Sequence, residues 1–296
     1  IFQEQVSGLW YIRTIQEIRD QGLFLELSGY ESQVYLGFQL VSDSESVPWW
    51  NIHQDLAGQG IKDFAPLFRY IELEPVHRLF CNMLTFIISK DTALDSKTLF
   101  MKFAPLLEAM LEIENISLMM KDVEDFAKNF DALLRKSHQR LASLEEEGRD
   151  KHLFVGACIY FARQIHAANP ESTESMVDTY ELEEQIIKFL PSAKAVNLTG
   201  LLSVLEYADR ARALLDRDVH AFFISLFKQK AALQYFEVNQ VKEIMWFKKE
   251  PMDQFLSYLA PMCVIESVDE MMSSINAAVK FSDFKLEKFF QALTPE

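Results

Sequence analysis

Residues 8–41 read GLWYIRTIQEIRDQGLFLELSGYESQVYLGFQLV, and the spacing of their apolar residues changes midway. Ile12, Ile15 and Ile18 fit one stripe of a helix. Leu23, Leu25 and Leu27, then Val34, Leu36, Phe38 and Leu40, alternate with a step of two, the pattern of half-buried strands. Gly22 stands where a helix would stop, and SGYES at 28–32 supplies a turn, so the stretch from Gly22 to Val41 reads as a β-hairpin. Two strands alone are marginal in water, and this hairpin needs cover from helices or further strands. No other stretch gives a convincing strand signal.

The totals set the class. Of 296 residues, 49% are hydrophobic and 12% aromatic, with 24 Phe, which excludes a disordered chain. Only 9 Gly and 9 Pro leave long segments without breakers, which favours helices. A formal charge of −15 repels phosphate backbones and anionic lipid surfaces, so nucleic-acid and membrane partners are excluded from the reading. No apolar run approaches the roughly 20 residues of a membrane span. Cys81, Cys158 and Cys263 lie far apart in apolar helical patterns, as buried thiols of a reducing, cytoplasmic setting would. Ile1 is not an initiator Met, and the chain reads as a piece of a longer protein.

Beyond Val41 the chain reads as helices. Asp63 heads a short helix through Phe64, Leu67, Phe68 and Ile71. Pro75 suits the first turn of the next, whose stripe is Val76, Leu79, Phe80, Met83, Leu84 and Ile87. Leu99 to Ile113 continues in that style, with a kink or start at Pro105. A helix from Val123 to Leu141 ends in Glu145-Glu146-Glu147-Gly148, and Asp150 caps the helix of Phe154, Ala157, Cys158, Phe161 and Ile165. The polar run 170–179 is the weak place for a subdivision of an otherwise single helical domain, 1–296. Asn197, although in a glycosylation sequon, reads as the cap of a helix to about Leu215, and Asp218 caps the next. Pro251 fits the first position of another helix, and Ser267-Val-Asp-Glu270 is a capping box. The fold class is mainly α, an irregular multi-helix array with one β-hairpin near the N-terminus.

Catalytic signatures are missing. His53, His77, His138, His152, His166 and His220 never pair at the spacing that puts two ligands on one helix face, so no metal and no cofactor is expected. Neither GxSxG nor a P-loop occurs, and Gly58-Gln-Gly60 lacks its strand–helix context. Asp216-Arg217-Asp218 beside His220 is the densest titratable cluster, and capping explains it. Pro48-Trp49-Trp50 is the notable local feature. Indoles in a loop stack on sugars, but covering the hairpin is the simpler role for Trp49 and Trp50.

Five phrases carry a resemblance: GLWYIR at 8–13, GLFLEL at 22–27, VYLGF at 34–38, LEPVH at 73–77 and WFKKE at 246–250. In this order they resemble the C-terminal region of long bacterial proteins whose N-terminal part is a glycoside hydrolase of the α-amylase superfamily. The chain departs from that pattern at Gly37, where an acidic residue is expected, at Gln39, where a charged one is, and at Lys248, where Asn is. The resemblance implies a non-catalytic C-terminal domain, since the catalytic carboxylates of such enzymes belong to an upstream (β/α)8 barrel. It implies packing on that catalytic part or mediating assembly, with an α-glucan as a candidate ligand. Trp10, Tyr11, Trp49 and Trp50 are the expected contact residues, with no catalytic residue and no metal. The alternative is a free-standing helical protein-interaction module unrelated to carbohydrate.

Overall fold

The computed structural model describes residues 1–23, 29, 32–44, 47–88, 96–116, 146–172, 174–190, 197–262 and 268–294. The fold is mainly α, with fourteen helices among the described residues and a small antiparallel sheet near the N-terminus. The chain divides into two compact units, Ile1–Pro75 and Val76–Glu296.

The first unit is built on a three-stranded sheet in the order β2-β1-β3, from β1 (Phe2–Glu4), β2 (Trp10–Tyr11) and β3 (Tyr35–Leu36). Phe2 faces Tyr11 across one pair, and Gln3 faces Leu36 across the other. The hairpin expected over Gly22 to Val41 thus contributes β3, whose described partner is β1; 24–28, where its first strand would lie, is outside the described residues. Glu4 fastens the sheet. Its carboxylate accepts the N–H of Val6 at 2.8 Å, of Ser7 at 2.5 Å and of Val34 at 3.3 Å. Gly37 holds φ at +66°, a left-handed backbone that favours glycine.

Two helices flank this sheet. Thr14 starts the first, Ile15–Gln21, through a complete capping box: its hydroxyl accepts Glu17 N–H at 3.0 Å and its own N–H donates to Glu17 Oε2 at 2.6 Å. Ile12 therefore precedes the helix and is buried, whereas Ile15 and Ile18 on the helix are exposed, so the three do not share one buried stripe. The second helix, Trp49–Leu56, begins at the pair expected to sit in a loop. Around Ile12, Ile52 and Phe64 pack Trp10, Trp49, Ile61, Leu67 and Phe68.

In the helix Ala65–Ile88, Pro75 lies inside rather than at the start. Asp63 does accept an N–H at its head, from Ala65 at 2.9 Å. Pro75 removes one backbone donor mid-helix, and it is also where the first unit ends.

The second unit centres on the helix Leu198–Arg210, which buries Leu198, Leu201, Leu202, Val204, Leu205, Glu206 and Ala208. It packs against helices Glu146–Ala168, Lys230–Tyr235 and Lys249–Met262. Asn197 and Asp218 are the caps expected of them, accepting Gly200 N–H at 3.3 Å and Ala221 N–H at 2.9 Å. The helix from Asn197 stops at Ala211, and Arg212–Arg217 is a separate short helix rather than its continuation to Leu215. Helix Glu146–Ala168 starts before Gly148 and Asp150, which lie inside it instead of breaking and capping it. The expected 170–179 subdivision falls within this unit, and Met176 and Val177 are buried there. The 123–141 helix and Ser267 of the expected capping box lie outside the described residues.

A second hairpin joins β4 (Asn239–Val241) to β5 (Ile244–Trp246), so the N-terminal strands are not the only ones. Its turn residues Lys242 and Glu243 have φ of 49° and 67°. Neither is the Gly, Asn or Asp that announces such a turn, which hid it from the sequence. Phe223, Phe227, Phe236, Phe247 and Phe289 pack beside it, with Phe223 and Phe289 centroids 5.0 Å apart.

Candidate functional site

The first unit carries an open groove of about 420 Å³. Ile15 and Ile18 form one wall, Phe38 and Leu40 another, and Trp50 and His53 a third. Ile15 is 50% exposed, Phe38 59%, Leu40 79% and Trp50 54%. Scattered exposed apolar residues are ordinary, but several around one groove mark an interaction surface.

The frame behind these side chains is fixed. His53 Nε2 lies 2.9 Å from Glu17 Oε2, which joins the two helices. Burial pushes the Glu17 carboxyl up, but the Thr14 N–H and hydroxyl and the His53 ring outweigh it and hold the group below its ordinary value. Trp50 stacks on His53, with centroids 5.8 Å apart and planes 25° apart. Trp50 N–H donates to Asp43 Oδ1 at 2.8 Å, tying the helix to the segment after β3. Gln39 N–H donates to the Ile1 carbonyl and the Ile1 nitrogen donates to the Gln39 carbonyl, each at 2.9 Å, which extends the sheet's pairing toward Phe38. Phe38 stacks on Phe2 at 5.0 Å.

The four expected contact residues are divided. Trp49 and Trp50 line the groove; Trp10 and Tyr11 do not. Trp10 packs on Phe64 and pairs its backbone with Ile61, and Tyr11 stacks on Phe2. Trp49 places its edge on Phe64 at 5.5 Å and on Phe68 at 5.2 Å. Adjacent helix residues diverge by about 100°, so one indole points inward and the other outward. The two do not form the flat pair that a loop could have offered a sugar ring.

A polar cluster that sequence reasoning missed lies in the second unit. Glu206 is fully buried on the core helix, accepts Met176 N–H at 2.8 Å, and has His166 Nε2 3.6 Å from Oε2. That is too long for a hydrogen bond. Neither His166 nitrogen nor Glu206 Oε1 has a hydrogen-bond partner among the described residues, and each such buried group costs about 1–3 kcal/mol. Burial pushes the Glu206 carboxyl up, against His166 and the Met176 N–H. Burial, with Glu206 nearby, also drives the Cys158 thiol well above its ordinary value. The signal was present: Glu206 follows Leu202 by four and Leu205 by one, a carboxylate set in an apolar stripe.

Among the described residues no group of three or more His, Cys, Asp or Glu is placed to hold a metal ion, and no helix is long and apolar enough to cross a membrane. No family model, curated protein or solved structure matches the chain.

Proposed function

We propose that this chain is a non-catalytic docking module. It is read as the C-terminal region of an α-amylase-like glycoside hydrolase, with the groove of its N-terminal unit receiving an apolar element of the upstream catalytic part. One observation carries the docking: Ile15, Ile18, Phe38, Leu40 and Trp50 stay exposed around a groove whose frame is fastened by the Glu17–His53 and Asp43–Trp50 contacts. A rigid frame with exposed apolar walls loses little freedom on binding, which favours association. The choice of partner rests on the five sequence phrases.

A protein partner suits the groove better than a glucan. Sugars stack on a flat aromatic platform, whereas the two indoles here diverge and Ile15, Ile18, Leu40 and Val41 spread aliphatic surface beside them.

The test mixes the upstream part of the parent reading frame with this chain and follows binding by calorimetry. Ile18→Asp and Trp50→Ala are each expected to weaken binding about tenfold or more, or about 1.4 kcal/mol. Binding unchanged in both variants overturns docking at this groove. A parent frame without an upstream barrel overturns the amylase assignment and leaves a free-standing interaction module. Saturable tryptophan quenching by maltoheptaose, lost in Trp50→Ala, would move the site to carbohydrate.

A further inference from the structure

We propose that the pocket formed by Arg163, His166, Arg210 and Arg212 in the second unit binds a phosphate group. This goes beyond the docking groove and does not depend on it. The pocket lies where helix Glu146–Ala168 passes the break between helices Leu198–Arg210 and Arg212–Arg217, and encloses about 440 Å³. Arg163, His166, Ala167 and Pro170 line it from one side at the spacing of a helix face, and Asp209, Arg210 and Arg212 line it from the other.

Three guanidiniums gather here in a protein of formal charge −15, against one lining carboxylate. Asp209 is nearly buried and holds Arg163 by two hydrogen bonds, one from Nε at 2.8 Å. That pair fixes the guanidinium plane, and a guanidinium has five N–H donors, so two spent on Asp209 leave others for a ligand. Arg210 donates from Nη1 to the Ser172 carbonyl at 3.2 Å. Arg212 has Asp216 at 4.0 Å, outside the lining and half-exposed. Even with Asp209 on Arg163 and Asp216 beside Arg212, the lining holds three guanidiniums to one carboxylate, a donor-rich setting for a phosphate of charge about −1.5 to −2 near neutral pH.

The floor supplies an independent pointer. His166 lines the pocket, its side chain is only 10% exposed, and neither ring nitrogen has a hydrogen-bond partner among the described residues. A ligand oxygen in the plane of the ring, at the Nδ1 edge away from Glu206, would accept an N–H that the described residues leave unmatched. The pocket is open to solvent and roomier than one inorganic ion needs, so the natural occupant is read as a phosphate monoester.

The experiment titrates the full chain with inorganic phosphate at constant ionic strength, using calorimetry and backbone NMR. Saturable binding below about 10 mM is expected, with shifts confined to residues near 163–172 and 209–212. Arg210→Gln and Arg212→Gln should each weaken it about tenfold, while unchanged thermal unfolding in chloride reports an intact fold. Trp50→Ala should leave phosphate binding untouched, which separates this site from the groove. Binding absent up to about 10 mM, retained in the Arg210→Gln/Arg212→Gln double variant, matched by acetate, or mapped elsewhere overturns the proposal.

Discussion

His53 Nε2 meets the Glu17 carboxylate at 2.9 Å, and Glu17 is also the residue that closes the capping box with Thr14. One carboxylate therefore starts the first helix and fastens it to the second. Thr14→Ala should cost about 1 kcal/mol, the usual price of a lost cap, measured by urea unfolding. It should also weaken partner binding, because Ile15 and Ile18 ride on the helix it frays. An unchanged unfolding midpoint would mean that the cap contributes nothing.

Glu4 gives the first unit a pH dependence. The Ser7 side chain and N–H, with the N–H groups of Val6 and Val34, hold its carboxyl down to about 2. A carboxylate lowered on folding stabilises fully above its unfolded value, about 4.3. That stabilisation is lost as pH falls from there through about 2. Wild-type unfolding midpoints should drop across this window, and Glu4→Gln should flatten the drop. Parallel pH profiles for the two proteins would rule out Glu4 as the cause.

The two neighbouring indoles should separate stability from binding. Trp49 contacts Phe64 and Phe68, so Trp49→Ala should cost about 3 kcal/mol, the lower end for a core aromatic because the ring is only partly buried. Trp50 touches His53 and solvent, so Trp50→Ala should leave the unfolding midpoint within about 0.5 kcal/mol while reducing partner affinity. Equal destabilisation by both variants would contradict this inward–outward division.

Long apolar stripes were legible in the sequence because burial is periodic over several turns. Val76, Phe80, Met83 and Leu84 are buried as their spacing predicts. Short strands were not, since two or three residues cannot display a period; the turn from β1 to β2 does carry Gly8, at φ +72°, but with only three and two strand residues beside it. The alternation of Val34, Leu36, Phe38 and Leu40 met a strand only at Tyr35–Leu36, because Gly37 leaves the extended region at φ +66°, and all four are exposed. Alternation reports that one face is apolar, not that this chain covers it. Likewise Trp49 and Trp50 drew attention together, and only their place on a helix shows that they point different ways.

Gly60 tests how tightly β2 is held. A Cβ there would stand 2.7 Å from Tyr11 Cζ and 2.9 Å from Leu9 Cβ. Gly60→Ala must displace the ring or the backbone beside the Trp10–Ile61 bridge, and should cost about 1–3 kcal/mol by overpacking. A neutral or stabilising result in urea unfolding would show that Tyr11 has room to move.

Glu206 should reverse the pH dependence expected of Glu4. Burial raises its carboxyl in the folded chain, while His166, the Met176 N–H and Arg210 pull the other way without prevailing. A carboxylate raised on folding binds its proton more tightly in the native state. Its contribution is most favourable below the unfolded value, and stability falls as pH rises from there through the folded value. Glu206→Gln stays neutral and keeps an oxygen for the Met176 N–H, so it should gain on wild type as pH climbs above the unfolded value of about 4.3. Glu206→Ala deserts both Met176 and His166 and should be destabilised by about 3 kcal/mol or more. Urea unfolding of the three proteins across that range decides it. A Glu206→Gln profile parallel to wild type would show that Glu206 titrates as an ordinary carboxylate, despite lying among Leu202, Leu205 and Met176.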